Sequence, residues 1–295
     1  MGRTEILGMG MALPRIAVAT RELDELSYEE IKHYIRAIER AGIGVIYITE
    51  AAGYEAFTLA QLSLQESDRA VVGNGIARAL DRVPKNAAAA QALLWDGFPG
   101  RYLIGFGVSG AARERGLPPV PFMRKYLEDF DEQSTRLRKE ELRLPRVLAG
   151  YGQGMIRLAA EQADGLVSFL STPSQTNRER SILGPDAFLS VYQWVVDDTD
   201  PVSARTTIRR HLRHYLTMPH VVSKWLRLGF DAADLREPGS DRLVDACCAW
   251  GSHDQIAARV DEHLSAGADQ VSLQWITEHG PRELETFAAI NSRFA

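Results

Sequence analysis

AGIGVIYITEAAGYEAF (41–57), DRAVVGNGIARAL (68–80) and FPGRYLIGFGVS (98–109) decide the fold. Each is a short apolar run closed by glycine or polar residues, and a longer stretch of helical pattern follows each one. A parallel sheet of βα units requires this alternation, because helices cover both faces of its strands. In such sheets chemistry gathers at the carboxyl ends of the strands. That rule selects Glu50, then Asn74, Gly75 and Ile76, then Gly107, Val108 and Ser109 as the first candidates for function.

Working outward, strand-like runs are expected at 5–12, 44–49, 70–75, 102–107, 146–149, 165–169, 187–196 and 270–275. Ser27 with Glu30 three residues on reads as a capping box opening a helix that runs to 41. Further helices are expected at 56–63, 86–95, 122–133 and 155–162. Thr172 followed by Pro173 opens a short one, and Pro281 opens the last. The charge-dense segment 136–144 reads as a solvated linker or turn. Residues 197–269 exceed what one βα unit needs and read as helices at 202–215, 220–228, 242–250 and 255–266. They form an insertion after strand seven, placed to wall or cover the strand ends. Eight strands, no internal linker and no dinucleotide fingerprint after strand one predict a single α/β domain over 1–295, a (β/α)8 TIM barrel with a helical insertion.

Composition narrows the class. The 295 residues accommodate a barrel of about 250. Apolar residues at 45% and charged residues at 25% are ordinary for a globular protein, and a net charge of −5 argues against a nucleic-acid partner. No run approaches the roughly 18 apolar residues of a membrane span, and the N-terminus lacks a signal-peptide cleavage region. The only two cysteines are the neighbours Cys247 and Cys248 on an apolar helical face, which reads as reduced thiols in a cytoplasmic protein.

GYGQGM (150–155) places three glycines between a strand and a helix. They let a ligand approach the backbone, and the free N–H groups of the helix start favour a phosphate or carboxylate; a tight turn without a ligand is the alternative. Gly73–Asn74–Gly75–Ile76 permits unusual backbone geometry at the end of strand three, or is a bulge. Glu50 could serve as acid, base or acceptor, or pair with a barrel-top arginine such as Arg78. Arg205, Arg209 and Arg213 share one helix face, either solvated or meeting an anionic ligand. His211 and His214 lack a carboxylate at helical spacing, so no metal site is expected. There is no GxSxG motif for a serine hydrolase, and Ser252 with Gln255 is a capping box.

The stretches 48–62, 73–84, 98–109, 145–165, 182–196 and 239–274 resemble, in order, the luciferase-like monooxygenase superfamily, and within it a group of actinobacterial coenzyme F420-dependent oxidoreductases. The resemblance implies a TIM barrel that binds a deazaflavin or flavin at the carboxyl ends of its strands. It implies a non-proline cis peptide at Gly75–Ile76 behind the ring. It implies a phosphate region at Tyr151, Gly152, Gln153, Gly154 and the Ser171–Thr172 turn, with Lys and Arg on the rim attracting an acidic tail. Glu50–Ala51 stands where sugar-phosphate dehydrogenases of the superfamily carry Asp–His, Gly110 where close relatives carry His, and Leu80 where they carry an aromatic. Sugar-phosphate oxidation is therefore not expected.

The leading reading is hydride transfer between coenzyme F420 and a small organic substrate. Glu50 is then the polar partner near the ring. Asn74, Gly75, Ile76, Gly107 and Val108 line the ring, and Tyr151, Gly152, Gln153, Gly154 and Thr172 hold the phosphate. A reduced-FMN-dependent monooxygenase and a non-catalytic flavin-binding barrel are the alternatives. Relatives often form homodimers, and Trp194, Trp225 and Trp250 suit an interface or the core.

Overall fold

A computed structural model describes residues 4–5, 12–20, 23–50, 53–108, 112, 115–138, 143–277 and 281–294. Among the described residues eight parallel strands close into a barrel: β1 Ile16–Thr20, β2 Val45–Ile48, β3 Val71–Asn74, β4 Tyr102–Gly107, β5 Arg146–Ala149, β6 Gly165–Phe169, β7 Phe188–Val196 and β8 Gln270–Trp275. Each pairs with the next, and β8 returns to β1 with Val271 opposite Ile16 and Leu273 opposite Val18.

The helices are α1 Tyr28–Arg40, α2 Ala56–Gln65, α3 Pro84–Gly97, α4 Pro119–Arg138, α5 Gln153–Gln162 and α6 Pro173–Leu183. Then come α7 Pro201–Leu216, α8 Pro219–Arg227, α9 Asp241–Cys247, α10 His253–Ser265 and α11 Pro281–Phe294. Both expected capping boxes form, Ser27 with Glu30 and Ser252 with Gln255. Thr172 caps α6 with Pro173 in the first turn, and that helix is longer than expected, reaching Leu183.

Strand residues alternate between two cores, as the pleat dictates. Ala17, Val45, Tyr47, Leu103, Val147 and Tyr192 fill the barrel interior. Val18, Ile46, Val72, Ile104 and Leu148 face outward under the helices. On α1, Ile31, Ile35 and Ile38 fall on one face, each at most 2% exposed; truncating Ile35 to Ala would cost about 2–5 kcal/mol. A third core belongs to the insertion, where Trp194 and Val196 of β7 meet Ile208, Leu212, Trp225 and Cys247. No helix among the described residues is long and apolar enough to cross a membrane.

Two expectations are corrected. The first barrel strand is Ile16–Thr20, not 5–12; Thr4–Glu5 pairs antiparallel with Ala12–Leu13 apart from the barrel. Ile16–Thr20 is buried at every position, as a strand covered on both faces must be. The expected helix at 242–250 ends at Cys247, and Cys248–Trp250 forms a short strand parallel to Trp194–Val196. β7 outruns β6, whose pairing stops at Tyr192 opposite Phe169, and 248–250 takes the edge left open. Tertiary pairing overrides the helical pattern there.

Candidate active site

The turns at the carboxyl ends of β3 to β6 form a continuous arc. At its start the Gly75 N–H donates to the Ile48 carbonyl at 2.7 Å, and the Gly75–Ile76 peptide is cis, where the resemblance implies one. A Cβ on Gly75 would lie 1.8 Å from the Tyr192 hydroxyl oxygen, so only glycine fits over that phenol. A Cβ on Gly107 would lie 2.5 Å from Ile76 Cδ1 and 3.4 Å from Ala149 Cβ. Ile76 and Gly107 are thus brought together, with β5 directly beyond, and Val108 follows half-buried. The Asn74 side chain faces away from this arc. It donates to the Ala56 carbonyl at 3.1 Å and accepts from the Tyr102 hydroxyl, which ties β3 to α2 and β4. Any ligand contact from Asn74 would therefore come from its backbone.

Glu50, after β2, sits in an ion pair. Its Oε2 accepts from the Arg78 backbone N–H at 2.6 Å and from Arg82 Nη1 at 2.8 Å, and its Oε1 accepts from Arg82 Nη2 at 2.5 Å. The side-chain partner is Arg82, while Arg78 contributes only its backbone to Glu50. The Glu50 and Arg82 side chains are each 9% exposed. Burial opposes the Arg82 charge, but the hydrogen bonds it donates to Glu50 and the charges of Glu50 and Glu55 carry its pKa above the ordinary value. Glu55 also caps α2, accepting from the N–H groups of Phe57 and Thr58. Glu50 is thus placed as a fixed acceptor held by cationic and backbone donors.

Gly152 is the N-cap of α5, with φ −88° and ψ 139°, a conformation any residue adopts. No side chain caps this helix, and a Cβ on Gly152 would meet nothing within 4 Å. Neither the backbone nor a protein neighbour demands glycine there. Gln153 and Gly154 occupy the first turn, whose N–H groups have no intrahelical acceptor. Gly154 packs toward α4, where a Cβ would lie 3.1 Å from Val120 Cγ2. On the neighbouring unit, Thr172 Oγ1 accepts from the Gln175 N–H at 3.2 Å and meets Ser174 Oγ at 2.9 Å. Tyr151 stacks on His220 of α8, centroids 6.3 Å apart and planes 4° from parallel. The structure therefore brings Tyr151, Gly152, Gln153, Gly154 and Thr172 to two adjacent helix starts.

Several groups at or near the arc were not legible in the sequence. Lys224 of α8 is buried and donates to the carbonyls of Phe169 and Leu170 at 2.5 and 2.7 Å. Burial pulls its pKa down to about 8, against the opposing charge of Glu179. Glu179 is itself buried; its Oε1 accepts from Ser168 and Gln175, each at 2.7 Å, and burial raises its pKa. Tyr192 gives no polar signal in a strand of apolar neighbours.

Other candidates resolve differently. Arg205 pairs with Asp241 and Asp245, Arg209 with Asp241, and Arg213 with Glu237, so the arginine face of α7 is tied to acids of the insertion. Trp194 and Trp225 are fully buried in the insertion core, and half-buried Trp250 donates to Asp245. Cys247 and Cys248 are free buried thiols. Among the described residues no group of three His, Cys, Asp or Glu side chains could hold a metal ion. Ala51, Ser109 and Gly110 lie outside the described residues.

A cleft of about 640 Å³ lies beside the arc rather than on it, between Ala79–Pro84 and α4, with Phe122, Lys125 and Tyr126 on its far wall. Its link to the strand ends is Arg82, the partner of Glu50. The glycine turns gather at one end of the barrel, beside this rim cleft.

Residues 9–139 match the family model described as luciferase-like monooxygenase. This bears out the superfamily resemblance over the first half of the barrel. No curated protein matches the chain by sequence. Many solved structures share its fold, among them the following three. The coenzyme F420 dependent tetrahydromethanopterin reductase from Methanopyrus kandleri superposes with a TM-score of 0.77 at 17% identity, covering 96% of this chain and 100% of that one. An F420-dependent secondary alcohol dehydrogenase, in complex with an F420-acetone adduct, gives 0.72 at 13% identity, covering 96% and 98%. The oxygenating constituent of 3,6-diketocamphane monooxygenase from Pseudomonas putida, in complex with FMN, gives 0.68 at 16% identity, covering 96% and 98%.

Proposed function

We propose that the protein is an oxidoreductase that binds coenzyme F420 across the β3–β6 arc and transfers a hydride between it and a small organic substrate. The observation that carries this reading is Gly152: an uncapped N-terminus of α5 with open space where a side chain would stand, beside the Thr172 start of α6. Two helix starts side by side, one of them cleared of side chain, suit a phosphate through free N–H groups and the positive ends of the helix dipoles. Two of the structures sharing the fold are F420-dependent, a likeness consistent with a deazaflavin in this arc.

When bound, the deazaflavin supplies the hydride chemistry; the protein supplies placement and electrostatics. Gly75 and Gly107 present backbone, and Ile76 and Val108 add two aliphatic side chains, a surface against which a flat ring can lie. Tyr151, Gly152, Gln153, Gly154 and Thr172 hold the phosphate. The Glu50–Arg82 pair forms a polar wall between the arc and the rim cleft, and we assign the cleft to the substrate side. Lys125 on that cleft is paired with Asp129 at 2.5 Å.

An FMN-dependent monooxygenase is the second reading, supported by the FMN complex among the structures of the same fold. Parallel binding of the two cofactors separates the readings, because the deazaflavin carries hydride but does not activate oxygen as reduced FMN does.

A further inference from the structure

We propose that Lys224 and His220, one turn apart on α8, form a clamp by which the insertion positions both phosphate-binding turns; the proposal rests on the phosphate site assigned above. Three contacts carry it. The Lys224 ammonium donates to the Phe169 and Leu170 carbonyls at 2.5 and 2.7 Å and reaches Ser171 Oγ at 3.4 Å, so it holds the segment leading to the Thr172 cap. The same ammonium lies 4.7 Å from the ring centroid of Tyr151, the residue before Gly152. His220 stacks on that ring from the same face of α8.

One helix face thus grips the β5–α5 turn through an aromatic ring and the β6–α6 turn through its backbone. The held segment is one that would not hold itself. Leu170 has φ +49°, in the left-handed region that non-glycine residues rarely enter, and its carbonyl is one of the two that Lys224 binds. The charge is also well supported. Glu179 lies beneath the turn, bonded to Ser168, whose hydroxyl is 2.6 Å from that of Ser171. A buried ammonium with carbonyl acceptors and a nearby carboxylate is a fixed positive centre at the base of an anion site. Lys224 is a positioning residue: it need not touch the ligand, and the insertion contributes to cofactor affinity through it.

The test compares Lys224→Met and His220→Leu with the wild type, titrating FMN against riboflavin, its dephosphorylated form, and coenzyme F420 against 8-hydroxy-5-deazariboflavin, which lacks the phosphate and the acidic tail joined through it. Hydrogen exchange of the ligand-free proteins is followed over 150–156 and 165–172. In K224M, the phosphorylated cofactor that the wild type binds should weaken about tenfold or more, the loss expected for a charged hydrogen bond, while its dephosphorylated form binds equally to both proteins. Exchange should quicken in both segments. H220L, the milder change, should quicken exchange only over 150–156, and it keeps the test alive if K224M fails to fold. Equal weakening of phosphorylated and dephosphorylated forms, or unchanged exchange in both variants, overturns the clamp. A wild type that binds neither cofactor overturns the functional reading instead, and the exchange data alone then decide the clamp.

Discussion

The Tyr192 hydroxyl, reaching in from β7, stands where a side chain on Gly75 would begin: a Cβ there would be 1.8 Å from Oη and 2.7 Å from Cζ. Tyr192 is 3% exposed and packs on Tyr47 with ring centroids 5.4 Å apart, so it has little room to retreat. Gly75→Ala should therefore destabilise the protein by about 1–3 kcal/mol, the cost of overpacking a filled core. Because the ring carbons also clash, adding Tyr192→Phe should not restore stability. Urea unfolding of the single and double variants checks this, and a full rescue by the phenylalanine would show that the hydroxyl alone sets the constraint.

Gly152→Ala separates ligand binding from folding. The backbone at Gly152 is ordinary and a methyl group meets no protein atom; alanine is the poorer N-cap but lowers the entropy of the unfolded chain, and these opposed effects should leave stability changed by less than about 1 kcal/mol. The same methyl group occupies the proposed phosphate cradle. Cofactor affinity should fall while the thermal midpoint of the ligand-free protein stays put, measured by calorimetry and thermal unfolding on one preparation. Unchanged affinity would move the phosphate elsewhere.

Glu50→Gln tests whether this carboxylate works in chemistry or in structure. Arg82 would lose its main partner while 9% exposed, and breaking a buried pair from one side costs up to about 3–5 kcal/mol; Glu55, 3.0 Å from Arg82, offsets part of that. A structural role predicts lower stability in E50Q and recovery in the double variant E50Q/R82M. Denaturant midpoints of the three proteins report it. A stable E50Q with greatly reduced turnover would make Glu50 catalytic instead.

His263 gives the pH dependence. It is fully buried between Thr176 Oγ1 and Gln193 Oε1, each at 2.8 Å, and burial pushes its pKa down to about 3. An unfolded histidine titrates near 6.5. Between about pH 6.5 and 3 the unfolded chain therefore binds the extra proton, and this residue's contribution to stability falls as the pH is lowered. The slope approaches about 1.4 kcal/mol per pH unit at most. Unfolding free energies from pH 7 to 4 should fall less steeply in His263→Gln than in the wild type, even if the variant starts lower; identical slopes would show that His263 is not the group responsible.

Much of the barrel is written locally. Strands 102–107, 146–149, 165–169 and 270–275 have sharp ends in the sequence, and they form at those bounds. Ser27 and Ser252 carry their capping partners three residues on, a signal that needs no tertiary context. The short edge strand at Cys248–Trp250 exists only because β7 overhangs β6, a fact of closure that no local pattern contains. The site divides the same way. Glycine announces close approach at 75 and 107, where Tyr192 and Ile76 stand against the backbone. The Glu50–Arg82 pair spans 32 residues, and Lys224 lies on a helix whose pattern gives no sign that a lysine is buried. Long-range pairing of charges fixes those positions, and sequence spacing does not encode it.

If the β3–β6 arc takes a deazaflavin, calorimetric titration of the purified protein with coenzyme F420 and, in parallel, with FMN should give micromolar or tighter binding of F420 and weaker binding of FMN. Preference for FMN, or binding of neither, would refute the assignment.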